Sequence, residues 1–392
     1  MHSIECRWGV MALSRRAFIR VAGGAAVFAA AGVGLSRCDR MPAAAISGWN
    51  GPPAAETEPR RRALSYALLA PNPHNMQSWV ADLSVPDTIQ MFVDPTRLLP
   101  MTDPFSRQIM VGCGCFLETL VLAAGMEGWA ADVTLGTGED AIVAGTAPFA
   151  TVTMRPAARA DADGLAGAIT ARRSAKVDYD GRALSDAHVS ALMAAHGLSA
   201  GRVGTTSEPG QVTTLREIGK AAMRVEVNLD RTYAESVKVM RFGADEIAQH
   251  RDGLSFHGPF FWWAKRLGLV TPEAQMDPTS TSRDIAREIL DTQAATTATF
   301  GWLITPANDR AAQVAAGRAY VRLNLAAARD GVSLAPWSQA LQEFPEMAEL
   351  YAALRTAVGA AAGETVQMFF RLGYAAPQPP TPRRALDAII RA

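Results

Sequence analysis

The sequence predicts an α+β fold in two unequal halves, on three observations. The chain has 392 residues, more than one average domain needs. Hydrophobic residues make up 49% of it and charged residues 19%, a balance that buries a sizeable core and excludes disorder. Helical and strand patterns are interspersed but mostly do not alternate one for one, which argues against a doubly wound parallel sheet.

Residues 46–59 are rich in Pro, Gly and Ala and read as a linker. The spacing then predicts a helix over Arg60–Ala70, ended by Pro71. Ser78–Val85 and Thr88–Val93 are apolar runs meeting at Pro86-Asp87, a hairpin. A helix is expected over Ile109–Met126, ending near Gly128, with strands at Ala131–Leu135 and Ala150–Met154 around a Gly-rich turn. Pro156–Asp163, poor in large apolar residues, marks the boundary. The second half opens with helices expected over Leu165–Arg172, Ser185–Ala195, Pro209–Leu229 and Arg231–Ala248. The aromatic stretch Phe256–Trp263 follows, then a helix at Ser282–Ala294 and a β-branched strand at Thr296–Thr305. A long helix at Asp309–Asp330, a short strand at Gly331–Ala335, a helix at Met347–Val358 and a strand at Glu364–Leu372 complete it. The organisation is a leader over 1–45, the linker 46–59, a first half over 60–158 and a second over 159–392.

Lys+Arg and Asp+Glu tie at 38 each, but the first 45 residues hold six Arg against Glu5 and Asp39. The rest of the chain is mildly acidic and shows no basic stripe, which excludes nucleic acid as a partner. Ser14-Arg15-Arg16-Ala17-Phe18-Ile19-Arg20 precedes sixteen uncharged residues, Val21–Ser36. That is the layout of a secretory leader, and sixteen residues fall short of the roughly 20 that cross a bilayer. The paired arginines resemble a twin-arginine (Tat) signal, departing only in Ile19 for Leu. The resemblance implies the Tat export machinery as a partner and the periplasm or cell envelope as the location. Ala43-Ala44-Ala45 offers a cleavage site, no stable membrane span is expected beyond the leader, and Met11 is an alternative start.

Cys6 and Cys38 belong to the leader. Cys113 and Cys115, one residue apart at a helix start, point to opposite sides and read as buried small hydrophobes rather than a disulfide or a metal site. No hydrolytic motif, phosphate loop or metal-ligand spacing is present. His188, His196 and His250 read as surface or capping residues, and Arg60-Arg61-Arg62 as a solvated helix start.

Four segments suit a planar, phosphorylated ligand. Ala70–Trp79 places His74, Asn75 and Gln77 on a proline-stiffened loop, where two amides and an imidazole could meet the edge of a heterocycle. A plain polar turn explains that loop better when it is taken alone. Arg172-Arg173-Ser174 and Pro382-Arg383-Arg384 offer forked donors that match phosphate oxygens, although surface arginines are common in a chain with only four Lys. Gly331–Gln339 is a glycine-initiated strand followed by Pro336, Trp337 and Ser338, able to bring backbone N–H groups to a ring edge.

In their order, these segments resemble the FMN-dependent nitroreductase superfamily, specifically its Acg-like branch of two fused halves. The His74-Asn75-x-Gln77 core, Asp94-Pro95-x-Arg97, Asp103-Pro104-x-x-Arg107, Cys113-Gly114, Arg172-Arg173-Ser174 and Val366–Tyr374 with Arg383-Arg384 carry the likeness over about residues 60–390. It implies an intramolecular pseudo-dimer with mixed or antiparallel central sheets flanked by helices, and one FMN between the halves. Arg172, Arg173, Ser174, Arg383 and Arg384 would hold its phosphate, with His74, Asn75 and Gln77 on one side of the ring and Pro336, Trp337 and Ser338 on its other edge. Asn72-Pro73 and Ser78 depart from the family pattern at the ring. The flavin supplies the redox chemistry, so no catalytic side chain is expected.

The resemblance implies an oxidoreductase passing electrons to a small electrophile such as a nitroaromatic or quinone. A non-catalytic FMN-sequestering protein and a flavin-less homologue are the alternatives. An exported member would meet little NAD(P)H and would need another donor. The Gly253–Trp263 aromatics are expected to pack in an inserted helical hairpin, with a lid or a membrane- or partner-facing patch as the other readings.

Overall fold

The computed structural model describes residues 39–277 and 281–391. The paired arginines, the run Val21–Ser36, Cys6 and Cys38 lie outside the described residues.

Two four-stranded antiparallel sheets anchor the halves. The first has the order β1-β2-β4-β3, with β1 Trp79–Asp82, β2 Thr88–Val93, β3 Trp129–Leu135 and β4 Ala150–Pro156. The β1–β2 hairpin pairs Trp79 with Val93 as the Pro86-Asp87 turn predicts. The second has the order β5-β8-β10-β9, with β5 Arg202–Thr206, β8 Thr299–Thr305, β9 Ser333–Pro336 and β10 Thr365–Gly373. Every residue of β8 and β10 is buried, because helices cover both faces, and their sequences read as nearly continuous apolar runs. The expected α+β class with antiparallel sheets flanked by helices is the one found.

The helices Arg107–Glu127 and Arg310–Arg329 pack against each other at the centre, one from each half. Glycine decides how close they come. A Cβ on Gly114 would sit 2.2 Å from the Val314 carbonyl oxygen, and one on Gly317 2.0 Å from that of Val111. The Cys115 thiol donates to the Gly317 carbonyl at 3.2 Å, and buried Glu118 pairs with Arg318 and Arg322 across the crossing. Cys113 and Cys115 are free and buried as expected. Arg107–Glu127 is long and apolar enough to span a bilayer, but most of it is buried in this core.

Several local expectations are corrected. Leu165–Arg172 forms only a turn, Ala166–Ala168, because Gly164 and Gly167 weaken a helix there. The helix expected over Arg231–Ala248 is two helices, Asp230–Lys238 and Ala244–His250, split by β6 Met240–Phe242. β6 pairs in parallel with β7 Leu254–Phe256, and the helices Pro259–Arg266 and Pro272–Met276 follow. β5 was hidden by its shortness and by Gly204, where a side chain would strike Trp302. Arg60, Arg61 and Arg62 are not simply solvated: they pair with Glu58, with Glu56 and Asp387, and with Glu127.

Both ends of the described chain cross between halves. Residues 43–50 are helical rather than a loose linker, and the Trp49 indole donates to the Thr381 carbonyl at 2.8 Å. The tail returns from β10 to the first half, where Arg383 donates to the Ala45 carbonyl and Arg391 to the Ala81 carbonyl.

Candidate functional site

A cavity of about 1180 Å³ lies between the halves and the 230–277 insertion. One end is cationic. Arg172 and Arg383 are 3% and 5% exposed, and both donate to the Leu69 carbonyl, at 2.7 and 3.4 Å. The guanidinium carbons of Arg173, Arg383 and Arg172 lie 4.0, 5.1 and 5.6 Å from the centre of the Trp49 ring. Arg383 also donates to the Asn75 and Thr381 side chains and to the Pro382 carbonyl, and Arg173 to the carbonyls of Thr170 and Arg172. No carboxylate among the described residues pairs with any of the three. The Nε atoms of Arg173 and Arg383 are buried without a partner. Burial pushes Arg172 down to about 10, and Arg383 lies well below the usual arginine range through burial and repulsion by Arg172 and Arg173. Such a cluster is costly until an anion enters it.

The loop before β1 forms one wall. His74, Asn75 and Gln77 all take left-handed φ, at 46°, 53° and 53°. Each non-glycine residue in that region costs about 1–2 kcal/mol, least for Asn. Hydrogen bonds hold the loop in place. The Gln77 N–H donates to Asn72 Oδ1, Gln77 Nε2 to the Arg251 carbonyl, Asn75 Nδ2 to the Pro382 carbonyl, and the Gly253 N–H to the Asn75 carbonyl. His74 faces the cavity with Nδ1 buried and unpartnered, and Nε2 lies 3.9 Å from Glu226. Burial pushes the imidazole down to about 4 and the Glu226 carboxyl up, so His74 is neutral at pH 7. Gln342 Nε2 donates to Glu226 at 2.7 Å.

The opposite wall is the end of β9. Pro336, Trp337 and Ser338 line the cavity, and the Trp337 N–H bonds the Phe369 carbonyl at 2.8 Å. Arg371 lies 4.7 Å from the Trp337 ring centre and donates to the carbonyls of Ala175, Val177 and Gln293, which fixes the backbone after Ser174. Lys176 on that stretch also faces the cavity, and desolvation holds it below the usual lysine range. The far end is aromatic: Phe242 stacks on Phe256 at 5.0 Å, Phe261 packs tilted against both at 6.1 and 5.4 Å, and Phe260, Trp263 and Leu267 line the cavity with them.

Nine of the eleven residues expected at the site line this one cavity: His74, Asn75, Arg172, Arg173, Ser174, Pro336, Trp337, Ser338 and Arg383. Two are corrected. Gln77 is fully buried behind the loop, and its Oε1 accepts from the Arg384 N–H. The Arg384 side chain bonds the Gln77 and Ala388 carbonyls and lies 4.0 Å from Asp94, facing away from the cavity. Both brace the wall. The sequence reading missed Trp49, Lys176, Glu226, Gln342 and Arg371. A lone tryptophan in a Pro/Gly/Ala-rich stretch was the available signal for Trp49. The aromatic stretch is corrected too: it is not the core of a helical hairpin but a strand, Leu254–Phe256, and the helix Pro259–Arg266, whose aromatics stay partly exposed and wall the cavity.

Over most of its length the chain is similar to a Mycobacterium tuberculosis protein provisionally named an NAD(P)H nitroreductase, 28% identical over 374 residues, 88% of this chain and 96% of the relative. An uncharacterised protein of the same organism is 36% identical over 77 residues, 19% of this chain and 22% of its own. No protein-family model matches the chain. Two solved structures are similar in part. An FMN- and NADPH-dependent nitroreductase from Sphigopyxis sp. strain HMH is 14% identical at a TM-score of 0.38, covering 58% of this chain and 98% of that one. Iodotyrosine deiodinase bound to FMN and 3-iodo-L-tyrosine is 11% identical at 0.35, covering 56% and 95%.

Proposed function

We propose that this protein is an FMN-binding oxidoreductase of the Acg-like nitroreductase type, two fused halves holding one flavin between them. The observation that carries this is the group of three guanidiniums around Trp49, two buried and that of Arg173 half-buried, with no carboxylate among the described residues to neutralise them. A phosphate monoester brings close to two negative charges and three acceptor oxygens, the complement of those forked donors. The rest of the wall fits a heterocycle: His74 Nδ1, Gln339 Oε1 and Gln342 Oε1 are buried polar atoms without partners on residues that line the cavity. Arg172, Arg173, Ser174 and Arg383 would hold the phosphate, and His74, Asn75, Pro336, Trp337 and Ser338 the ring.

FMN supplies hydride and electron transfer when bound. The chain's own part is to bind, orient and shield it, and Lys176 adds positive charge that favours a reduced, anionic flavin. A cavity of this volume exceeds the usual few hundred to 1,000 Å³ of a small-molecule site. The aromatic end therefore has room for a second molecule, an apolar electrophile of the nitroaromatic or quinone class. The 14–36 leader supports Tat export to the periplasm or envelope. There the NAD(P)H of the relative's name would be scarce, so another donor is expected. Denaturing the purified yellow protein and identifying the released nucleotide tests the reading, and any product other than FMN overturns it.

A further inference from the structure

Large exposed hydrophobic side chains are few among the described residues, and they are not scattered. Of six, three fall within ten residues: Phe260 at 53% exposure, Leu267 at 64% and Leu269 at 58%. All three also line the cavity, as do Phe261, Trp263 and Val270. This stretch is thus both the wall of the aromatic end and its outer face, the mouth of the cavity. A soluble surface seldom keeps such a patch unless something covers it.

Its chemistry selects what covers it. Gly253–Pro272 contains no carboxylate, and Arg266 sits in the last turn of the Pro259–Arg266 helix beside Lys265, which is paired with Asp245 and Glu246 of the neighbouring helix. Arg266 lies over the Trp262 ring at 3.3 Å, an aromatic with a cationic tip beside it. Phe, Trp and Leu on one surface with basic residues at its edge is the composition of a helix that lies in a membrane interface. A water-soluble partner would not require that pairing.

Chain geometry points the same way. Asp39 accepts from the Gly258 and Ala244 N–H groups with its carboxylate, and its carbonyl accepts from Gly258 as well. These bonds pin Asp39 to the residue that starts the aromatic helix. The uncharged run Val21–Ser36 ends three residues earlier, a reach of at most about 10 Å. A leader retained rather than cut at Ala43-Ala44-Ala45 would bring its bilayer to the Gly258 end of the aromatic helix.

We propose that residues 259–270 form a lipid-docking rim that rests on an anionic bilayer surface and turns the mouth of the cavity toward it. The second ligand is then an apolar molecule dissolved in lipid, a clause that rests on the flavoprotein reading; the docking does not.

The test uses the full-length chain with Cys6 and Cys38 changed to Ser. Phe260→Cys, Leu269→Cys or, as a control on the hairpin of the other half, Val85→Cys carries an environment-sensitive fluorophore. The probe is vesicles of phosphatidylcholine and phosphatidylglycerol, with or without nitroxide-labelled acyl chains. Emission at 260 and 269 shifts to the blue on vesicle addition and is quenched by the nitroxide lipid, while 85 does neither. In an F260E/L267C chain labelled at 267, the shift is lost. Co-flotation with vesicles while 260 and 269 stay unshifted means that the leader alone holds the membrane and overturns the proposal. A blue shift without vesicles that grows with protein concentration means that a second copy covers the patch, and overturns it too. Docking by a protein that releases no flavin leaves the rim standing and removes the ligand clause alone.

Discussion

Three guanidinium groups around one indole are held mainly by carbonyl oxygens, so the site is built for an anion that must come from outside the fold. Replacing Arg172 and Arg383 with Ala removes two charge-assisted contacts, worth about 3–6 kcal/mol of binding. Flavin absorbance of the purified double variant is expected to be lost, and equilibrium dialysis should show FMN affinity down by at least about a hundredfold. The bare fold loses buried cations that repel one another but also their hydrogen bonds to buried carbonyls, so its denaturant midpoint without ligand should change little. His74 gives a second test, in pH. Its folded pKa of about 4 lies below the unfolded value of about 6.5, so the unfolded chain takes up the proton first as pH falls. The stabilising preference for neutral imidazole is complete above pH 6.5 and is lost on acidification toward 4. Between pH 7.5 and 5.5 this costs about 1–1.5 kcal/mol. Urea unfolding across that window should show the slope, and His74→Asn, which also tolerates the left-handed backbone, should flatten it.

At the scale of elements, the crossing of Arg107–Glu127 with Arg310–Arg329 depends on two missing side chains. Gly114→Ala or Gly317→Ala drives a methyl into a backbone carbonyl and should cost about 1–3 kcal/mol or more by chemical denaturation. Gly125→Ala, on the same helix with 3.1 Å to its nearest neighbour, should cost less. These long helices were legible because their apolar spacing and their stop signals agree. Short elements were not. β5 and β6 gain their strand geometry from pairing with β8 and β7, and no local pattern announces that. The helix expected over Arg231–Ala248 broke because Phe242 and Met240 are buried better in β6 against the aromatic cluster than in a continued helix.

The whole molecule is tied together by its ends. Residues 43–50 and the tail meet at Trp49 and Thr381, and the tail carries Arg383 across to the first half. Deleting residues 376–392 is therefore expected to strip the flavin and red-shift the Trp49 emission, while β10 and its sheet persist by circular dichroism. The site was legible where a motif is contiguous, as in Arg172-Arg173-Ser174. It was not legible where a single residue arrives from a distant element: Glu226 comes from the last turn of a long helix, and Arg371 from a buried, mostly apolar strand. Gln77 and Arg384 belonged to the right motifs but brace the wall from behind, a distinction that depends on which way a side chain turns and not on its neighbours in sequence.

Arg383 reaches Asn75 and the Ala45 carbonyl only after the chain has run through the whole second half and turned back. The cationic end of the cavity therefore cannot assemble on a nascent chain until residue 383 has emerged. A product cut short before that point would lack this guanidinium however well its helices formed.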